Sequence, residues 1–281
     1  MPDTQIQTAD RLRVDPALLR SLLVDFLREE IGKFGFQRAV VGLSGGVDSS
    51  LSLFLTAEAL GKENATAVLL PYGSAHEGVL DDAMLMVETL GVPHHTIDIA
   101  PLCDVAFQAV PEMTRVRRGN VMARVRMTLL YDQSAEVDGL VVGTSNKSEM
   151  LLGYGTLYGD MAWAVNPLGD LYKTQVWQLA RAWGLPSKIV DKVPTADLWP
   201  GQTDEGELGF PYAVADQILY LLVDERYLAE EVVALGFDEA TVESVWERMR
   251  KNHFKRVPPV VAKVSRRTVG HDFLYERDWG Q

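Results

Sequence analysis

The sequence predicts an α/β protein built on a doubly wound parallel sheet and followed by a helical C-terminal appendage. Short apolar segments of strand length alternate with helical patterns through the first half of the chain, and this alternation is typical of a parallel sheet with right-handed crossovers. Ligands of such sheets bind beyond the carboxyl ends of the strands. The turns Ser44-Gly45-Gly46 and Thr144-Ser145-Asn146, which follow two apolar segments, are therefore candidate binding segments.

The elements follow in order from the apolar spacing and the turn residues. Asp15-Pro16 is an N-cap followed by Pro at the first helical position, and it begins an amphipathic helix that runs to about Phe34. Helical spacing predicts its apolar stripe at Leu18, Leu22, Phe26 and Ile31. The predicted strands are Arg38–Leu43, Ala65–Leu70, His94–Ile99 and Gly139–Gly143, and further helices are predicted at Asp48–Leu60, at Glu77–Leu90, from an N-cap at Asn120, and at Tyr172–Trp183.

The second half of the chain contains two long segments without periodicity. Gly153–Pro167 is rich in Gly, Tyr and Trp and is predicted as a loop. Lys192–Pro211 holds three prolines and three glycines and is predicted to be a mobile loop, the kind of segment that often acts as a lid. Three short helical patterns follow between Ala213 and Arg250. We expect one domain over 1–281, with a Rossmann-like core at 15–200 and the lid, helical part and tail at 201–281.

The composition excludes several classes of protein. With 47% hydrophobic and 23% charged residues among 281, the chain is of ordinary globular type. It has no apolar run near the ~20 residues of a membrane span, and we expect no membrane partner. The net charge of -12 argues against binding a nucleic-acid backbone. Cys103 is the single cysteine, which excludes an intrachain disulfide and, without a recognisable signal peptide, predicts a cytoplasmic location.

The turn at Ser44-Gly45-Gly46 has the features of a phosphate site. Adjacent glycines allow a ligand close to the backbone, and the first turn of the following helix has unpaired amides at its positive end. Asp48 follows at once, and a carboxylate beside a triphosphate can hold Mg²⁺. A Walker A loop would need Gly-Lys-Ser/Thr where this chain has Val47-Asp48-Ser49. Ser44–Ser50 instead resembles the signature of the ATP pyrophosphatases, which cleave ATP between its α and β phosphates.

Other polar residues have both a functional and a simpler interpretation. Thr144 and Glu149 are a hydroxyl donor and a second metal ligand, or else parts of a polar helix cap. Lys173 neutralises phosphate or is a surface lysine, and Thr195 contacts phosphate or forms a turn. Arg124 binds a carboxylate or phosphate, or lies on a solvated basic face. Taken one at a time, these residues leave the choice open.

Taken together, the segments resemble the NAD synthetases, amide-forming ligases that convert deamido-NAD to NAD. The resemblance spans most of the chain. Besides Leu43–Ser50, it is carried by Asn120-Val-Met-Ala-Arg124-Val-Arg126-Met, Gly143-Thr-Ser-Asn-Lys-Ser-Glu149, Gly153-Tyr-Gly-Thr-Leu-Tyr-Gly-Asp160, Asp170-Leu-Tyr-Lys173-Thr, Pro194-Thr-Ala-Asp197, Thr203-Asp-Glu-Gly-Glu-Leu-Gly209 and Phe254-Lys255-Arg256.

The resemblance implies a role for each matching residue. Asp48 and Lys173 are expected to be catalytic, and Asp48 and Glu149 to hold Mg²⁺. The expected ATP-binding residues are Gly42, Leu43, Ser44, Gly45, Gly46, Val47, Asp48, Ser49, Thr144, Lys173 and Thr195. Those expected to bind deamido-NAD are Arg124, Asp160, Phe254 and Lys255. Because family members are homodimers with the dinucleotide site at the subunit interface, the resemblance also implies a homodimer.

The implied chemistry has two steps and requires no nucleophilic side chain. The nicotinate carboxylate attacks the α-phosphorus of ATP to give an acyl-adenylate and pyrophosphate, and ammonia then displaces AMP. The segments Gly153–Met161 and Pro258–Arg267 resemble the glutamine-using branch of the family, whose members carry an additional glutaminase domain before the synthetase domain. Only a helix-sized segment precedes Arg38, and Cys103 lies inside the synthetase region. We therefore expect ammonia to be the direct nitrogen donor, with a separate glutaminase as an alternative.

The acceptor is less firmly predicted than ATP. The ammonia-dependent branch has Lys, Asp and His where this chain has Leu157, Ala164 and Phe254, with His253 one position earlier. These differences concern the deamido-NAD side, so nicotinate mononucleotide is an alternative acceptor. A tRNA-modifying ATP pyrophosphatase and a nucleotide-binding module without catalysis are more distant alternatives. The acidic balance argues against the first, and Glu149, Lys173 and Thr195 in family positions argue against the second.

Overall fold

A single parallel sheet forms the centre of the fold. The computed structural model describes residues 8–73, 77–199, 201–269 and 272, with side chains except at 77–79. Within these residues the sheet has four strands in the order β3-β2-β1-β4. The strands are β1 at Arg38–Gly42, β2 at Ala65–Leu69, β3 at His94–Thr96 and β4 at Gly139–Val142. Each strand lies where the sequence predicts one, although β3 ends at Thr96 instead of Ile99.

The helices are numbered in chain order. In the core they are α1 at Pro16–Gly32, α2 at Val47–Leu60, α3 at Glu77–Leu90, α4 at Ala100–Ala109, α5 at Arg115–Glu136, α6 at Lys147–Leu152, α7 at Lys173–Ala182 and α8 at Ser187–Val190. The later ones are α9 at Asp204–Leu208, α10 at Tyr212–Leu219, α11 at Ala229–Ala234 and α12 at Glu239–Lys251. In the described part of the chain, no helix combines the length and the apolar character needed to cross a membrane.

Helices cover both faces of the sheet, which confirms the predicted doubly wound architecture. Alternate residues of β1 point to opposite faces. Ala39 and Val41 belong to a core shared with α1, α2 and α7, while Val40 belongs to a second core with Cys103 of α4 and Met122 of α5. Burial on both sides explains why β1 and β2 consist mostly of small and apolar residues, whereas the edge strand β3, His94–Thr96, is exposed.

The C-terminal helices have a core of their own. Ile218 of α10 and Val245 of α12 are fully buried there. The same cluster includes Leu152 at the end of α6 and Tyr172 just before α7. The helical appendage is thus packed directly against the two helices that begin near the carboxyl edge of the sheet.

The predicted apolar face of α1 was wrong at three of its four positions. Leu18 is 63% exposed and Leu22 is 54% exposed, and Phe26 is exposed as well. Ile31 is buried as predicted, and the other buried residues of the helix are Leu23, Val24 and Leu27. The helix carries two adjacent apolar stripes, so spacing alone could not choose between them. Its orientation is fixed by tertiary contacts, including a hydrogen bond from Trp183 Nε1 to the Pro16 carbonyl (3.0 Å).

Two further local predictions need correction, and one helix was missed. Asn120 does not cap α5, because the N-cap is Thr114, whose hydroxyl accepts a bond from the Arg117 amide (3.4 Å). Helix α4, at Ala100–Ala109, was not predicted. The segment Lys192–Pro211 is not without structure, since it contains α9, capped by the side chain of Thr203. Hydroxyl caps thus mark helix starts that apolar periodicity alone misplaced.

Candidate active site

The turn after β1 presents backbone amides at the start of a helix. Gly45 has φ +74°, a conformation that favours glycine. The hydroxyl of Ser49 accepts a bond from the Ser44 amide (3.2 Å) and donates to the Gly46 carbonyl (3.1 Å), which closes the turn. Gly46 is the N-cap of α2 and supplies no side-chain cap. The first amides of α2 therefore lack a side-chain acceptor and favour an anion at this place.

A cavity of about 510 Å³ begins at this turn and crosses the carboxyl edge of the sheet, where doubly wound folds bind their ligands. Most of the predicted site residues line it: Gly42, Leu43, Ser44, Gly46, Val47, Asp48, Ser49, Thr144, Glu149, Asp160, Lys173, Thr195 and Lys255. Gly45, Arg124 and Phe254 are not among the lining residues. The structure thus gathers residues from several separate sequence motifs around one space, and their individual roles stay predictions.

Lys173 is at the centre of this cavity wall. Its Nζ lies 2.5 Å from Asp48 Oδ2 and 3.2 Å from Glu149 Oε1, and its side chain is only 2% exposed. Burial by itself would lower the pKa of Lys173, but the charges of Asp48 and Glu149 outweigh burial and raise it above its usual value. Lys173 is therefore a buried cation, and the interpretation as a surface lysine is wrong.

The two carboxylates beside Lys173 are held by Asn146. Its Nδ2 donates to Asp48 Oδ1 (2.8 Å), and its Oδ1 accepts from the Glu149 amide (3.0 Å). Glu149 Oε2 in turn accepts from the Asn146 amide (3.3 Å), so this segment is also the predicted helix cap. Burial raises the pKa of Glu149 to about 8, although the charge of Lys173 opposes this. A further cation at this position would favour the ionised form of Glu149.

The oxygen donors of Asp48 and Glu149 have the chemistry that Mg²⁺ prefers. Mg²⁺ sites in nucleotide enzymes use one or two carboxylates and complete their coordination with phosphate oxygens and water. In the described part of the chain, no three His, Cys, Asp or Glu side chains are grouped to hold a metal ion.

The loop after α6 also lines the cavity. Lys255 Nζ donates to the carbonyls of Gly153 (2.7 Å) and Gly155 (2.8 Å). Asp160 Oδ1 accepts from the Thr156 amide (2.8 Å), and burial raises the pKa of Asp160. These bonds fix the loop, so both Asp160 and Lys255 have a structural contribution beside any contact with a ligand.

Two of the residues predicted to bind deamido-NAD lie on the surface. The side chain of Phe254 is 58% exposed. Arg124 is also exposed, and its guanidinium contacts the Leu157 carbonyl at 3.3 Å. Neither side chain reaches the cavity from within one chain.

Arg126 is a cavity residue that its motif did not single out. Its Nε donates to the carbonyl of Leu70, the residue after β2 (3.0 Å), and it lines the cavity. Burial lowers the pKa of Arg126. Residues two apart on a helix point in different directions, which explains why Arg126 faces inward and Arg124 outward. The motif contained both arginines, but without the rotation of α5 nothing distinguished them.

Asp204, at the start of α9, is a second residue that was missed. It lines the cavity, is 4% exposed, and has its Oδ2 at 3.5 Å from the hydroxyl of Tyr212. The Tyr212 ring also lies under the ammonium of Lys173, with 5.4 Å between Nζ and the ring centroid. The helical appendage thus contributes directly to the wall around Lys173.

The segment before α9 covers one side of the cavity. Val193–Trp199 are among the lining residues. Lys192 anchors its beginning through an ion pair with the buried Asp82 (2.7 Å), and near its end the ring of Trp199 lies under the guanidinium of Arg115, 4.8 Å from the centroid. This segment occupies the place that a lid over the cavity would take.

The chain is similar to known proteins over most of its length. The family model described as NAD synthase matches residues 19–259. A curated protein named NH3-dependent NAD+ synthetase from Trichlorobacter lovleyi is 52% identical over 271 residues, which cover 96% of this chain and 99% of that protein.

Solved structures give a matching result. An NH3-dependent NAD synthetase from Campylobacter jejuni is 36% identical with a TM-score of 0.77, covering 89% of this chain and 100% of that chain. An NMN synthetase from Francisella tularensis is 31% identical with a TM-score of 0.78, covering 89% of this chain and 99% of that chain. Both likenesses confirm the α/β fold class.

Proposed function

This chain belongs to the NAD synthase family, as its motifs predicted, and we propose that it amidates deamido-NAD to NAD with ATP and ammonia. One observation carries the proposal. Lys173 is held as a buried cation between Asp48 and Glu149 at the open turn of Ser44–Gly46, so cationic and backbone donors converge where a triphosphate would lie.

The first step forms an acyl-adenylate. An oxygen of the nicotinate carboxylate bonds to the α-phosphorus of ATP while the bond from that phosphorus to the bridging oxygen breaks, and pyrophosphate leaves. The amides of the Ser44–Ser49 turn bind the departing phosphates, and the ammonium of Lys173 stabilises their charge. Thr144 and Thr195, which line the same cavity, donate hydroxyls to ATP. Positioning and charge stabilisation are the main contributions of a protein to such a transfer.

The second step forms the amide. Ammonia attacks the acyl carbon, AMP leaves with the electron pair of the broken bond, and the attacking nitrogen loses a proton. Water would hydrolyse the acyl-adenylate, so the covering segment 192–199 serves as the lid that excludes it. Its anchors at Asp82 and Arg115 support this role.

Mg²⁺ is the metal that this site suits, with Asp48 and Glu149 as the residues that would hold it. When bound, it would screen the charge of the phosphates during attack at the α-phosphorus. The geometry supports this assignment, because the side chains of Asp48 and Glu149 both lie beside the single ammonium of Lys173, and two carboxylates with one ammonium favour a further cation.

We also infer a homodimer in which the acceptor site is completed across the interface. Arg124 and Phe254 are exposed outside the cavity, as expected for residues that serve the site of a second copy. Helix α4 presents apolar side chains to solvent, including Leu102 at 53% and Val105 at 68% exposed, and such surfaces are typical of interfaces. Sedimentation at micromolar concentration should give about twice the chain mass of 31.2 kDa.

Ammonia is the nitrogen donor for the chain by itself. The curated relative is named for this donor. Burial raises the pKa of the Cys103 thiol to about 11, so this thiol is poorly suited to a glutaminase reaction. A separate glutaminase is the alternative source of ammonia, and the lone cysteine favours the cytoplasm as the location.

One assay tests the proposal. The chain is incubated with ATP, Mg²⁺ and deamido-NAD, with either ammonium or glutamine, and both NAD and AMP are measured. We expect the two products in equal amounts with ammonium and none with glutamine. Nicotinate mononucleotide is tested in parallel because a structural relative is named NMN synthetase. If no AMP forms with deamido-NAD and none with nicotinate mononucleotide, the proposed activity is overturned.

A further inference from the structure

Behind Lys173 lies a buried carboxylate that the reaction itself does not use. Asp216, in the middle of α10, has no exposed surface. Its Oδ1 accepts a bond from the hydroxyl of Ser148 (2.5 Å), and its Oδ2 accepts from the Thr174 amide (2.8 Å). The Ser148 hydroxyl also accepts from the Lys173 amide (2.9 Å).

The two residues that donate to Asp216 are sequence neighbours of residues in the proposed active site. Ser148 precedes Glu149 in α6, and Thr174 follows Lys173 in α7. Asp216 therefore joins the starts of two helices from a third helix that belongs to the appendage. We propose that Asp216 is a positioning residue that fixes the ammonium of Lys173 against Asp48 and Glu149. This proposal rests on the proposed function only for the role of Lys173 in binding phosphate.

The chemistry of the cluster requires an ionised carboxylate. The Ser148 hydroxyl and the Thr174 amide both donate, so the group between them must accept on both of its oxygens. An asparagine has the same shape but has only one accepting atom. It would therefore leave one of the two links unmade, and an unmade buried hydrogen bond disturbs its neighbours.

Burying the ionised carboxylate of Asp216 costs free energy that an apolar side chain at the same position would not cost. Burial raises the pKa of Asp216 to about 6, against the bonds that lower it. Well-packed apolar groups usually stabilise a core at least as well as a buried charge. Positioning of the neighbouring Lys173 explains why a carboxylate is present here, since supporting hydrogen bonds commonly set the position of a group in an active site.

The test is a double-mutant cycle between Asp216→Asn and Lys173→Met, with turnover measured as AMP formation. If Asp216 acts through Lys173, the Asp216→Asn variant loses about 10- to 100-fold in turnover at unchanged KM for ammonium. In the Lys173→Met background the same change then has no further effect. Equal losses in both backgrounds, or no loss in the first, would overturn the proposal.

Two further variants keep the test independent of folding. Ser148→Ala removes one of the two hydrogen bonds to Asp216. It is expected to lower turnover less than Asp216→Asn does, and to cause no further loss beside Lys173→Met. Asp238→Asn is the matched control, because Asp238 caps α12 by accepting from the Thr241 amide (2.9 Å) and is not among the residues that line the cavity. The control is expected to retain full turnover. A loss in Asp238→Asn equal to that in Asp216→Asn would indicate a general effect of removing a buried or capping carboxylate and would overturn the positioning role.

Binding of ATP alone separates this proposal from the proposed function. Calorimetry on the four proteins of the cycle measures ATP affinity without any acceptor or ammonia. We expect Asp216→Asn to lower the affinity for ATP about 10-fold in the wild-type background and not to change it in the Lys173→Met background. If wild type binds ATP but makes no NAD, the proposed activity fails while this cycle still decides the role of Asp216. Additive losses of affinity would overturn that role.

Discussion

The ammonium of Lys173 lies 2.5 Å from Asp48 Oδ2, although the two residues are 125 positions apart. Asp48 is in the first turn of α2, directly after the Ser44–Gly46 turn, and Lys173 is the first residue of α7. The pair therefore joins the phosphate-binding turn to the wall from which the appendage begins. A cation buried in this way is partly neutralised before any ligand binds and can shift to phosphate oxygens when ATP arrives.

Lys173→Met should lower turnover about 10²- to 10³-fold, because it removes one preorganised donor to the departing phosphates. The variant should also be less stable, since Asp48 and Glu149 lose their buried partner. Steady-state AMP formation checks the first effect and thermal unfolding the second. Lys33→Met is the control, because that lysine is exposed at the end of α1, pairs with Glu30 and is not among the residues that line the cavity. Turnover of Lys173→Met close to that of wild type would contradict the assigned role.

Asp48→Asn should reduce turnover by about 100-fold or more and change the fold little. The amide keeps the shape of the side chain but loses the charge that would hold the metal beside Lys173. AMP formation at several Mg²⁺ concentrations measures the loss, and circular dichroism reports the fold. A variant with wild-type turnover would show that Asp48 is not a metal ligand.

Arg126 and Arg124 should affect different substrates. Arg126→Leu removes a half-buried cation from the cavity and should weaken ATP binding at least about 10-fold. Arg124→Leu leaves the cavity intact and should raise the KM for deamido-NAD while ATP affinity is unchanged. The two variants are matched controls for one another, being two residues apart on α5. Equal effects of both changes on ATP affinity would contradict this division.

Asp216 should make stability depend on pH. Burial raises its pKa in the folded protein to about 6, above the usual value of an aspartate. The folded state therefore favours the protonated carboxyl, and the resulting contribution to the free energy of unfolding is fully present below about pH 4 and is lost as the pH rises through 6. Between about pH 5 and pH 7 the unfolding free energy of wild type should therefore fall by about 1 kcal/mol relative to Asp216→Asn. Urea unfolding at several pH values measures this. A difference that is constant across the range would refute the assigned shift.

Prediction from the sequence was most reliable where the geometry of a parallel sheet fixes the answer. Asp48 and Thr144 each follow a strand, and the carboxyl ends of parallel strands share one edge, so the sequence alone placed both at the site. The mostly apolar character of β1, β2 and β4 followed from the same rule, whereas β3 is polar and exposed. The buried face of α1 could not be predicted in this way. Leu22 and Leu23 belong to two different apolar stripes of the helix, and only packing against the rest of the fold determines that Leu23 is the buried one.

The remaining site residues depend on contacts between distant segments. A lysine is rarely buried without a partner, and the partners of Lys173 lie 125 and 24 positions away. The inward position of Arg126 depends on how α5 is rotated against the sheet, since Arg124 belongs to the same motif and lies outside. Asp216 gave no pattern at all, because its role arises only when α6, α7 and α10 meet.

The most direct measurement follows an isotope through one turnover. Deamido-NAD labelled with ¹⁸O in its nicotinate carboxylate is incubated with ATP, Mg²⁺ and ammonium, and the products are analysed by mass spectrometry. An acyl-adenylate passes one carboxylate oxygen to the α-phosphorus, so we expect one ¹⁸O in each AMP and none in pyrophosphate. Unlabelled AMP, or formation of ADP and orthophosphate in its place, would contradict attack at the α-phosphorus.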